Sequence, residues 1–136
     1  MDMRLVACAG LLVLAGCSSD GTGGQLAAPG NRLVFESRQS LQCESDGISP
    51  ETSAQKLVNA GIDVLRSTCG NRTGVVFPTV CGGPTGEILV HEIRGVNVED
   101  AQRLGFAQVS TLVDTTAGTN YELIDCADRT PIPPPG

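Results

Sequence analysis

The chain has 136 residues and a net charge of −6, with 15 acidic against 9 basic side chains, so it lacks the clustered cations that nucleic acid or anionic lipid headgroups require. It contains no Trp, one Tyr and three Phe, too few aromatics for the platforms of sugar and peptide grooves. One small domain is all that this length holds, and a core of Val, Ile and Leu on that scale needs reinforcement from elsewhere.

The first segment is apolar from Leu5 to Ala15, preceded by a single basic residue, Arg4. It is too short to cross roughly 30 Å of hydrocarbon as a helix. It ends in Leu14-Ala15-Gly16-Cys17, and those four residues resemble the bacterial lipobox at the end of a lipoprotein signal peptide. The resemblance implies removal of residues 1–16, lipidation of Cys17 and stable membrane attachment, since two or more acyl chains hold where one binds only marginally. Ser18, rather than Asp, follows the cysteine, which in the enterobacterial sorting pattern implies the outer membrane and leaves open which side the domain faces. The compartment is then oxidising. Cys8 leaves with the signal, and Cys43, Cys69, Cys81 and Cys126 remain. An even number in a small secreted domain reads as two disulfides, and no C-x-x-C or Cys/His cluster speaks for a metal or a redox pair. No metal or cofactor is expected.

Residues 17–31 comprise the lipidated cysteine and a small, polar, Gly-rich stretch that reads as a flexible tether. Residues 32–127 are the expected domain. Over residues 32–43, Leu33, Phe35, Leu41 and Cys43 share one parity while Glu36, Arg38 and Gln42 take the other, which predicts a half-buried strand with a bulge near Ser37. The turn after it carries Glu44 and Asp46 but lacks the spaced ligands of a calcium loop. Ser49 and Pro50 then open a helix with Ala54, Leu57 and Val58 as its apolar stripe, and Gly61 supplies the left-handed stop.

A strand is predicted over residues 62–69, followed by a loop to Cys81 whose Asn71-Arg72-Thr73 matches a glycosylation sequon by pattern alone. Gly82 to Gly86 form a turn. Residues 87–94 are apolar on both parities, which places them at the centre of a sheet. Asn97 is expected to cap a second helix ending near Leu104, with Val96 and Ala101 as a hydrophobic staple and Gly105 as the stop. Strands over 106–113 and 121–126 follow, and the Pro-rich tail, residues 128–136, reads as an extended end.

The order strand, helix, strand, strand, helix, strand, with one strand added, contains a weak repeat: Ala54-Gln55-Lys56-Leu57 recurs as Ala101-Gln102-Arg103-Leu104. It predicts a small ferredoxin-like α+β fold, an antiparallel sheet with two helices on one face. If the last two strands lie beside the first, the cysteines pair as Cys69 with Cys81 and Cys43 with Cys126.

Chemistry is sparse. His91 is the one histidine and reads as a sheet residue beside Leu89 and Ile93, while Glu92 cannot share its face. There is no G-x-S-x-G elbow, no H-E-x-x-H pair and no phosphate-cradling loop. Glu36, Glu44, Asp63 and Asp125 are available carboxylates, but their spacing selects no pair. Ala54, Lys56, Ala60, Ile62, Val64, Ser67, Cys69 and Cys81-Gly82 are similar in layout to the outer-membrane lipoprotein family that senses stress in the Rcs pathway, which implies signalling through protein contacts. The topology and the Ala-x-x-Leu to Gly rhythm also resemble sporulation-related repeat domains, which implies binding of stripped peptidoglycan. The expectation is a non-catalytic outer-membrane lipoprotein that binds an envelope protein or plays a structural part, with a peptidoglycan module or a stress sensor as alternatives.

Overall fold

The computed structural model describes residues 27–133; the lipobox, Cys17, residues 18–26 of the expected tether and residues 134–136 of the tail lie outside them. The sheet is organised around β3 (Glu87–Arg94), where every residue but Arg94 is buried. On one face Ile88 and Val90 pack with Leu33, Val109, Leu112 and Leu123. On the other, Ile93 packs with Val34, Leu57, Ile62, Ala101 and Phe106, and Leu89 with Cys69 and Ile124. A strand covered on both sides has no polar parity to spare, as its composition predicts.

Around β3 stand β1 (Asn31–Ser37), β2 (Arg66–Thr73), β4 (Ala107–Gln108) and β5 (Asn120–Ile124), in the order β4-β1-β3-β2-β5. Each neighbouring pair is antiparallel. The helices are α1 (Pro50–Asn59) and α2 (Val98–Arg103). α1 begins as its sequence dictates: Ser49 Oγ accepts the Thr52 N–H at 3.1 Å, and Pro50 takes a first-turn position where no amide is missed. It ends at Gly61, whose φ of +82° lets the chain turn so that the Ile62 N–H reaches the Leu57 carbonyl at 3.0 Å.

Several boundaries differ from the sequence expectation. β1 stops at Ser37, and the chain then folds back, with Leu41 N–H bonded to the Ser45 carbonyl at 3.0 Å and Gln39 and Cys43 both at positive φ. β2 starts later and continues through residues 70–73, expected as loop, because β5 pairs along them. Asn97 makes no side-chain cap and Val96 is 87% exposed, so the staple is absent; a 3-10 turn over Gly95–Asn97 leads into α2 instead. β4 has only two residues, after which Val109–Leu112 coil into a 3-10 turn that seats Val109 and Leu112 on the sheet. The tail lies along β5, Ile132 N–H meeting the Leu123 carbonyl at 2.8 Å. At the other end Ala27 packs against the first face and Ala28 N–H bonds Glu92 at 2.9 Å.

The disulfides correct the expected pairing. They join Cys43 to Cys81 and Cys69 to Cys126, with Cα separations of 5.0 and 5.1 Å. The reason is the place of β5. It pairs with β2, Ile124 lying opposite Cys69, rather than on the far side of β1, and so brings Cys126 to Cys69. Cys43 is left to meet the loop that precedes β3.

A candidate functional site: the buried hydroxyl–imidazole–carboxylate chain

On the helix-covered face, His91 stands on the central strand with Ser67 of β2 and Val34 of β1 directly opposite it. α1 crosses above and contributes Ser53 and Lys56, three residues apart and so on one side of the helix. Glu36 comes from β1. His91 and Ser53 are both fully buried. Their polar atoms form one continuous line. Ser67 Oγ lies 2.7 Å from His91 Nδ1, His91 Nε2 2.8 Å from Ser53 Oγ, and Ser53 Oγ 2.6 Å from Glu36 Oε1. Lys56 Nζ closes the line at 2.9 Å from both carboxylate oxygens.

The partners assign the protons. The Glu36 carboxylate only accepts, so Ser53 gives it its hydroxyl proton and must itself accept from His91 Nε2–H. Nδ1 then carries the lone pair and receives the Ser67 hydroxyl. Burial disfavours the imidazolium and pushes the His91 pKa down from 6.5 to about 4, with the negative charge of Glu36 pulling weakly the other way. The edge of the ring packs against Phe106, centroids 5.9 Å apart at 70°. His91 is therefore neutral at pH 7 and fully hydrogen-bonded, and the line it belongs to reaches solvent at its two ends, Ser67 and Lys56.

The remaining carboxylates serve elsewhere. Glu44 lies against the Gly82 turn, Asp63 is an exposed partner of Arg94 at 3.9 Å, and Asp125 accepts the Ala127 N–H at 2.7 Å in a turn. Glu92, on the opposite face from His91, accepts from Ala28 N–H and Asn31 Nδ2 and pairs with Arg66 at 3.2 Å. Burial tends to raise its pKa, but those donors and the Arg66 charge bring it below the usual carboxylate range. Glu87 binds Arg129, which also holds Asp46 at 2.5 Å; that hydrogen bond and the guanidinium charge lower the Asp46 pKa. Arg38 lies 4.0 Å from Glu87 at the same end of β3.

No two of the four carboxylates considered from sequence, Glu36, Glu44, Asp63 and Asp125, share a partner. Among the described residues no His, Cys, Asp or Glu cluster of three or more is arranged to hold a metal ion, and no helix is long and apolar enough to cross a membrane. A shallow depression of about 290 Å³ is lined by Leu41, Cys43, Glu44, Ser45 and Asp46 and by no member of the buried chain. Ser53 escaped the sequence reading, and Ser67 entered it only in the layout of a family resemblance, not as a partner of His91. The one available signal was the placement of Ser53 four residues before Leu57, on the stripe of α1 that faces the sheet. Comparison with family models, with curated proteins and with solved structures gives no match.

Proposed function

We propose that the chain is a non-catalytic outer-membrane lipoprotein, anchored through Cys17, whose disulfide-linked domain binds another envelope protein or braces an envelope assembly. On this reading the fold is ferredoxin-like with one strand added. The antiparallel order β4-β1-β3-β2, with α1 between β1 and β2 and α2 between β3 and β4, supports it, and β5 extends the sheet beyond β2.

The observation that carries the non-catalytic reading is the state of His91. A general base has to reach a substrate proton and works best with a pKa near the operating pH. The one imidazole of this chain is fully buried, both its nitrogens are engaged by serines, and its pKa lies at about 4. It joins α1, β1, β2 and β3 as a polar strut. A glycan platform on this sheet would need an open face; the face away from the helices is covered by Val109 and Leu112, which weighs against the peptidoglycan alternative.

The test has two arms. Wild type should incorporate labelled fatty acid and fractionate with the outer membrane, whereas Cys17→Ser should accumulate as unlabelled precursor; normal labelling of that variant removes the anchor. Crosslinking in intact cells, with probes spread over the domain surface, should yield an adduct with another envelope protein. Monomer alone under both growth and stress conditions removes the binding role.

A further inference from the structure

The outer edge of β5 is closed by the chain's own tail. After Ile124 the backbone reverses through residues 125–130, where Asp125 N–H bonds the Thr130 carbonyl at 2.8 Å and Arg129 N–H the Asp125 carbonyl at 3.0 Å. Pro131 then pairs with Ile124, and Ile132 N–H reaches the Leu123 carbonyl at 2.8 Å. As a closing strand this segment is weak, because Pro131 and Pro133 have no N–H to give. Its root is fixed: Cys126 is bonded to Cys69, which is fully buried beside Leu89. Opening of the segment therefore stops at Cys126 and leaves β5 in the sheet.

Arg129 holds the segment down. Its guanidinium binds Glu87 at the start of β3 and Asp46, at 2.5 Å, in the turn after β1. Two costs are concentrated at this latch. Arg129 has a φ of +59°, a left-handed backbone that residues other than Gly, Asn and Asp seldom take. Behind Glu87 stands Arg38, whose side chain is 9% exposed and whose N–H bonds the Glu87 carbonyl at 3.0 Å. Arg38 Nη1 is buried, lies 4.0 Å from Glu87 Oε2 and has no hydrogen-bond partner among the described residues. A buried guanidinium nitrogen left unpaired is destabilising. One carboxylate thus faces two guanidiniums and is bonded to the outer one. Withdrawal of Arg129 frees Glu87 for Arg38, so the loss of one pair is offset by another that the closed state denies.

We infer that residues 127–132 are an autoinhibitory strap, and that its release opens the edge of β5 to an extended segment of the envelope partner, which joins the sheet as a further strand. The inference rests on the envelope-binding reading and names its surface. The strap itself shows what the edge accepts: an extended backbone antiparallel to β5, with an N–H for the Leu123 carbonyl and a carbonyl for Asp125 N–H. A partner segment without prolines supplies donors that the strap lacks. A second copy is disfavoured, because two straps must open before β5 meets β5, whereas an envelope partner needs one. The opposite edge offers no equal seat, since β4 has two residues.

Hydrogen exchange on the purified full-length chain reads the strap without any partner. Arg129→Ala should speed exchange of the Ile132 and Asp125 amides about tenfold while the β3 amides stay unchanged, and Arg38→Met should slow it. In cells, a photo-crosslinking residue at the exposed Glu122 of β5 should give an adduct with an envelope protein, stronger in Arg129→Ala. The same residue at Val58 of α1, 49% exposed, should give none. Exchange at Ile132 and Asp125 that Arg129→Ala leaves unchanged, that is no slower in Arg38→Met, or that moves only together with β3 overturns the strap. Adducts from Val58 but not Glu122, or dimers and lipid adducts through Glu122, overturn the docking edge and leave the envelope-binding reading standing. Adducts from no position on the domain remove that reading as well.

Discussion

Acidification tests the buried chain most directly. The folded protein holds His91 near pKa 4, while an unfolded chain returns it to about 6.5, so between those values the unfolded state binds the extra proton. The sign follows: the stability is fully present above the unfolded value and is lost as the pH falls through the folded one. Each pKa unit is worth about 1.4 kcal/mol, which makes the full loss roughly 3 kcal/mol, with about 2 kcal/mol gone by pH 5. Against a typical stability of about 5 to 15 kcal/mol, that is a large share. The charged groups facing the ring are Glu36 of β1 and, beyond it, Lys56 of α1. Carboxylates such as Glu92 and Asp46, held below their ordinary values, also weaken the fold in acid, but they do so at lower pH and equally in a variant. His91→Gln keeps a donor and an acceptor and removes the titration. Urea denaturation of wild type and variant from about pH 7 to about pH 4 should therefore converge, the wild type losing roughly 3 kcal/mol more. Parallel curves, or an imidazole NMR titration near pH 6.5, would refute the neutral strut.

Ser53→Ala strands the buried Nε2–H of His91 and should cost about 1 to 3 kcal/mol, lowering Tm by roughly 4 to 8 °C per kcal/mol in a calorimetric scan. Ser67→Ala should cost less than about 1 kcal/mol in the same scan, because water can replace the exposed hydroxyl. Peptide mapping of the unreduced protein should recover Cys43 linked to Cys81 and Cys69 linked to Cys126. Opening either bridge by paired Ser substitution should lower denaturant stability by about 4 kcal/mol in the chain-entropy model, for spans of 38 and 57 residues. Gly47→Ala would place its Cβ 2.0 Å from the Arg38 carbonyl oxygen, whereas at Gly61 nothing lies within 4 Å. Both have positive φ, so Gly61→Ala should cost about 1 kcal/mol from backbone strain alone and Gly47→Ala considerably more by thermal unfolding.

What could be read from the sequence was local. Ser49, Pro50 and Gly61 announce a helix through bonds that span four residues or fewer, and residues 87–94 announce a central strand through their own composition. Residues 70–73 failed because Gly70 and Asn71 are poor strand formers. There the strand depends on its neighbours: a Cβ on Gly70 would stand 3.0 Å from Ile88 Cγ1 and 3.1 Å from the Glu122 carbonyl oxygen, so the close packing of β3 and β5 needs the glycine. The buried chain was illegible for a related reason. Glu36, Ser53, Ser67 and His91 stand on four different elements, and only the crossing of α1 over the sheet brings them into one line.

The cysteine pairing turned on a single choice, the edge to which the added strand attaches. Four cysteines allow three connectivities, and nothing in their spacing prefers one. Hydrogen bonding supplies the preference. β4 has only two residues and leaves little backbone for a further strand, whereas β2 offers five residues, Cys69 to Thr73, each matched by one of β5. Attachment at β2 buries Ile124 and Leu123 and carries Cys126 onto Cys69, which holds the outer strand covalently to the core. The second bridge is thereby released from closing the domain ends and instead fastens residues 74–86 to the turn after β1. A disulfide spent there contributes little to the core, because Cys43 and Cys81 both stand outside the buried clusters. It acts instead through the chain, closing the 38-residue span between Cys43 and Cys81 and so restricting the unfolded state.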